Sequence, residues 1–98
     1  MTQLLLEHQH TLEEFARQHG FTYLALFGSY ARDEATPDSD VDLLVEYSQG
    51  TSLFDVVRME RELSKKLNKK VDLVSRKFLN KYIKPYVQKD LITIYGQG

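Results

Sequence analysis

The chain has 98 residues, a formal net charge of -1 and no cysteine, which excludes disulfide staples and thiolate-held zinc. Its pI near 6.3 argues against direct nucleic-acid binding, and no apolar run approaches the roughly 20 residues of a membrane span. With 42% hydrophobic and 28% charged residues, one domain over residues 1–98 is expected to fold without a metal.

Leu5, His8, Leu12, Phe15 and Ala16 recur at helical spacing, and Gly20 is a natural terminator, so residues 2–19 read as an amphipathic helix. The three consecutive leucines before Glu7 are too short for a signal-peptide core, and the expected setting is a reducing cytoplasm. Tyr23 to Phe27 is a short aromatic and aliphatic run that stops at Gly28, the pattern of a buried strand. Ser29 to Glu34 is expected to form one or two helical turns, and the turn formers from Ala35 to Ser39 lead the chain into Asp40. Val41 to Tyr47 is mostly apolar and rich in strand formers, as in an interior strand covered on both faces.

Ser52 and Asp55 have the spacing of a capping box, and Leu53, Val56, Glu60, Leu63 and Leu67 mark one stripe with a single polar interruption, so residues 53–67 read as a second helix. Asn68 suits a left-handed stop, and Val71, Leu73 and Val74 bracket Asp72 in a third strand. Leu79, Tyr82, Ile83, Tyr86 and Val87 again have helical spacing, with the helix broken or begun near Pro85. Leu91 to Tyr95 is left as a final edge strand or an extended end. The order α-β-α-β-α-β-α predicts an α/β (α+β) fold, a short mixed sheet with helices packed against it.

Charge is distributed unevenly: residues 1–50 hold nine acids against two bases, whereas residues 51–98 hold five against eleven. Lys65, Lys66, Lys69 and Lys70 are read first as a solvated face and second as candidates for binding polyphosphate. His8 and His10 face different sides of their helix and, with His19, offer no metal triad. The six tyrosines are read as packing and interface material.

Strand alternation places Asp40 and Asp42 on one face, with Val41 on the other. Two carboxylates so close raise each other's cost of ionisation, and a divalent cation compensates for it. Oxygen-only ligands suit Mg2+, or Mn2+, completed by substrate phosphates and water. The bland alternative is a solvated turn at Asp38–Asp40 followed by an exposed Asp42; it is weakened by the apolar Leu43-Leu44-Val45 run and by Asp72 in another apolar strand. A calcium-binding EF-hand loop is excluded, because Leu43 replaces its glycine and Gln49 its closing glutamate. Gly28 and Ser29, where a strand ends, can present N–H groups and a hydroxyl to phosphate, although alone the pair is equally an ordinary capped turn.

Gly28-Ser29, ten intervening residues, then Asp40-Val41-Asp42 closely resembles the GS-x10-DxD signature of the polymerase-β-like nucleotidyltransferases. The wider stretch LFGSYARDEATPDSDVDLLVEY resembles the minimal nucleotidyltransferase branch, small antitoxins often paired with HEPN-domain toxins. That resemblance implies a metal-dependent enzyme that transfers AMP from ATP to a hydroxyl of a cognate HEPN toxin, a tyrosine being the expected acceptor. It makes Gly28 and Ser29 triphosphate binders, and Asp40 and Asp42 ligands of two metal ions, with Asp72 as the third catalytic and metal-binding carboxylate. Arg32 is a candidate phosphate ligand, set against a surface ion pair with Asp33 or Glu34. Asp33 departs from the pattern, standing where relatives usually carry glycine. The competing function is a noncatalytic antitoxin that masks its toxin by direct binding; a weaker third is nucleotidylation of a small molecule by an oligomer.

Overall fold

The structure is a computed structural model that describes residues 2–48, 50–76 and 84–96. Its elements are α1 (Gln3–Gln18), β1 (Phe21–Phe27), β2 (Val41–Tyr47), α2 (Leu53–Leu67), β3 (Val71–Ser75), α3 (Lys84–Asp90) and β4 (Ile92–Gly96). The strands form one mixed sheet in the order β3-β2-β1-β4. β1 is antiparallel to both β2 and β4, and β2 runs parallel to β3 through the crossover helix α2.

Alternation divides the sheet into two faces. Leu24, Leu26, Val41, Leu43, Val45, Val71, Leu73 and Ile94 pack against Leu12 and Phe15 of α1 and Leu63 and Leu67 of α2 in the main core. Tyr23, Ala25 and Leu44 turn to the other face, where they meet Val87 of α3 together with Phe27, Val74 and Leu91. β2 is therefore covered on both sides, as its apolar run requires.

Local chemistry sets the helix limits. Thr2 caps α1 by accepting the Leu5 N–H at 3.2 Å. Ser52 and Asp55 form the expected reciprocal box at the start of α2, and Asn68 closes that helix at φ 54°, ψ 41°. Within α2 the apolar stripe differs from the expected one: Leu53 is exposed, and Met59 is buried with Val56, Leu63 and Leu67. Glu60 is not an interruption without purpose, since its carboxylate accepts the Leu73 N–H at 2.7 Å while Ser64 Oγ accepts that of Val71 at 3.0 Å. The helix is thereby stitched to the outer side of β3.

One expectation about element order needs correction, and of the two alternatives left open for Leu91 to Tyr95 the final edge strand is the one that forms. Ser29–Glu34 is a series of tight turns, with Gly28 O accepting from both Ala31 and Arg32 and Ser29 O accepting from Glu34, so no regular helix forms there. The chain also finishes its described course in a strand, β4, which pairs with β1 and makes the sheet four-stranded. Pro85 lies in the first described turn of α3. The proposed helical positions Leu79, Tyr82 and Ile83 lie outside the described residues.

Candidate active site

The site is built where β1 ends and the parallel pair β2–β3 begins. Asp42 and Asp72 are register partners on neighbouring parallel strands, and Asp42 is also paired across the antiparallel ladder with Phe27, the residue before Gly28. Alternation from Leu44 and Val74 places both carboxylates on the α3 face of the sheet. Asp40 stands one step before β2, and the Val41 N–H donates to Lys70 O at 2.8 Å, which joins the start of β2 to the start of β3.

Gly28 adopts φ +77°, and a Cβ there would overlap the Asp42 carboxylate, coming within 3.3 Å of its Cγ and closer to an oxygen. The strand-ending glycine therefore allows the turn and clears room for an acid against it. Asp42 is half-buried, and its pKa is raised above the ordinary carboxylate value, first by burial and then by the charges of Asp72 and Asp40; Arg32 opposes the rise. Asp72 and Asp40 thus add negative charge around a half-buried carboxylate, which a nearby cation would offset.

The other members are more open than the sequence pattern suggests. Asp72 lies on an edge strand and is exposed, so its apolar neighbours do not bury it. The Asp40 carboxylate is engaged by Lys70 Nζ at 3.8 Å. Among the described residues, no three acidic or histidine side chains form a ready metal cage. The all-oxygen donor set and the raised pKa of Asp42 nevertheless suit a hard divalent cation, and the Asp40–Lys70 pair is an exposed one of the kind worth about 1 kcal/mol or less. That weak pair leaves the Asp40 carboxylate exchangeable toward such a cation.

Arg32 does pair with Glu34, at 3.2 Å, but its shorter bond is to Asp90 at the end of α3, 2.6 Å away. Those two acids raise its pKa, and the bond to Asp90 ties the turn after β1 to the end of α3. Asp33 takes the left-handed conformation at φ 57° that explains a glycine preference, and its Oδ1 accepts the Gln3 N–H at 3.0 Å in the first turn of α1. His19 stacks on Phe15 with ring centroids 4.1 Å apart and lies 3.5 Å from Glu62, in keeping with a packing role. Around His19, a groove of about 340 Å3 lined also by Arg58 and Met59 belongs to the α2 side and not to the carboxylate cluster.

Asp90 is a site neighbour that sequence reasoning did not assign, and Lys70, read there only as part of a lysine cluster with a second role toward polyphosphate, was not placed beside Asp40. A signal for Lys70 was available: aligning Asp42 with Asp72 in a parallel pair places Asp40 beside Lys70. Nothing local announces the Asp90–Arg32 contact, which spans 58 residues.

A half-buried carboxylate is thus aligned with a second on a parallel strand, beside a glycine-serine turn. The model of the nucleotidyltransferase domain matches residues 9–94, and the chain belongs to that family. It is accordingly a transferase. A relative from Methanocaldococcus jannaschii, provisionally named a protein adenylyltransferase, is 38% identical over 93 residues, covering 94% of this chain and 92% of its own. Protein adenylyltransferase MntA of Thermococcus cleftensis is 34% identical over 82 residues, 84% of this chain and 83% of that one. Among solved structures, one provisionally described as a minimal nucleotidyltransferase is 34% identical with a TM-score of 0.78, covering 90% of each chain. A complex of tri-AMPylated Shewanella oneidensis HEPN toxin with MNT antitoxin matches at 18% identity and a TM-score of 0.75, over 94% of this chain and 72% of that one, and shows the shared fold.

Proposed function

We propose that the chain is an antitoxin that transfers AMP from ATP to a hydroxyl, a tyrosine in our reading, of a cognate HEPN-domain toxin. The observation that carries this reading is the in-register pair Asp42 and Asp72 beside Gly28. The names of the relatives support AMP transfer to protein, and the tri-AMPylated toxin complex supports the class of partner.

Asp40, Asp42 and Asp72 would hold Mg2+ or Mn2+, which supplies charge neutralisation for the triphosphate and for the leaving pyrophosphate. Gly28 and Ser29 offer N–H groups and a hydroxyl to the phosphates, with Gly28 permitting close approach of the backbone. Asp72, exposed on the edge strand, would take the proton of the incoming hydroxyl. The acceptor oxygen then bonds to the α-phosphorus as the bond to the bridging oxygen breaks and pyrophosphate leaves. Arg32 is a reserve phosphate ligand, available on release from Asp90 and Glu34.

The second reading, neutralisation by masking alone, draws on one observation: Leu53, Phe54 and Val57 are exposed together at the start of α2. The two readings separate in one experiment. The protein is incubated with ATP, Mg2+ and a co-purified HEPN-domain partner, and intact masses are measured beside an Asp40→Asn/Asp42→Asn control. A metal-dependent AMP adduct on the partner, absent from the control, is expected. Stable binding without an adduct under any nucleotide or metal overturns the enzymatic reading in favour of masking.

A further inference from the structure

Resting on the reading that Asp40 and Asp42 bind metal, we propose that Lys70 is an exchangeable counterion. It holds the place of the cation on Asp40 in the metal-free protein and passes to a triphosphate oxygen when metal and nucleotide arrive.

Two features of Lys70 meet in this role. Its main chain is fixed, because its carbonyl accepts the Val41 N–H at 2.8 Å and the next residue, Val71, donates to Ser64 Oγ at 3.0 Å. Its side chain is free to swing, being 78% exposed, and in the structure reaches 3.8 Å from Asp40 Oδ2. A long ammonium on a pinned base can leave one oxygen for another a few ångströms away at little cost to the fold.

The surroundings give the ammonium somewhere to go. Lys69 stands with its Nζ 5.9 Å from the ring centroid of Tyr30, the residue after Ser29, so the three-residue link between α2 and β3 sends one lysine to the ring of Tyr30 and the next toward Asp40. Both lysines line a shallow groove of about 490 Å3 with Ser64, Lys65 and Asn68. Its basic lining suits a polyphosphate. Arg32 is less available for the task, being held by Asp90 and Glu34.

A counterion that exchanges partners leaves opposite marks on two affinities. Lys70→Gln keeps the main-chain hydrogen bond and removes the charge. Titration with Mn2+ alone, followed by paramagnetic water relaxation, is expected to show about two- to fivefold tighter metal binding, because an exposed competing ion pair is gone. Calorimetry with a non-hydrolysable ATP analogue and Ca2+ is expected to show about tenfold weaker nucleotide binding. Lys70→Arg is expected to restore nucleotide affinity. If both affinities fall together, or neither moves while wild-type protein binds both ligands, the exchange role is overturned. If wild-type protein binds neither Mn2+ nor nucleotide, the underlying assignment of the carboxylates fails instead.

Discussion

Gly28 and Asp42 occupy one space between them: the carboxylate of the second lies where the side chain of any other residue at the first would be. The first prediction follows. Gly28→Ala must relieve both a positive φ and an overlap with Asp42, and the left-handed conformation alone costs about 1–2 kcal/mol. Urea unfolding is expected to register a loss of that order or more. Displacing Asp42 by about an ångström is expected to lower transfer activity about a hundredfold, measured as the rate of adduct formation.

Asp42→Asn should stabilise the metal-free protein at neutral pH while abolishing metal binding. The folded-state pKa of Asp42 is raised by burial and by Asp72 and Asp40, so its contribution to stability is greatest below the unfolded carboxylate pKa and is lost as pH rises through the folded one. Thermal melts of wild type and variant in a chelating buffer should therefore differ at pH 7 and converge as pH falls below the ordinary aspartate range. An equal gap at both ends of that range contradicts the argument.

The capping acid at position 55 behaves oppositely. Hydrogen bonds from Ser52 lower the pKa of Asp55, so its support for α2 is present above the unfolded pKa and disappears as pH falls through the folded one. Ser52→Ala removes the side-chain half of the box and is expected to cost about 1 kcal/mol by chemical denaturation at pH 7. Nucleotide affinity should be unchanged, since the box stands at the opposite end of α2 from the link to β3.

Asp33 combines two opposed effects, which substitution can separate. Asp33→Gly relieves the left-handed conformation but surrenders the hydrogen bond to Gln3 N–H, and its net effect is expected to fall within about 1 kcal/mol of zero. Asp33→Ala keeps the unfavourable φ and also loses the bond, so a loss of about 1–2 kcal/mol is expected. Equal stabilities for the two variants would show that backbone conformation contributes nothing at this position.

Much of the fold could be read from local patterns. Val41–Tyr47 and Leu53–Leu67 have the expected limits because an apolar strand run and a capping box both declare themselves within a few residues. The Ser29–Glu34 turns were less legible: their hydrogen bonds mix several spacings, and a polar hexapeptide has no apolar period to distinguish a turn from a helix. Leu53 was misplaced because helical spacing names a stripe without saying where the sheet beneath it ends. The acidic residues of the site were visible as a motif, but the exposure of Asp72 depends on β3 being an edge strand, which strand order alone decides. Glu60 looked like a flaw in an apolar face until the strand it serves was in place.

That last contact bears on how the protein behaves at high concentration. An edge strand invites a second chain to add itself by main-chain pairing, and the donors it offers are the outward N–H groups. On β3 those of Val71 and Leu73 are already committed to Ser64 and Glu60. A neighbouring molecule arriving at this edge finds those two donors occupied, so fusion of two sheets along β3 is discouraged.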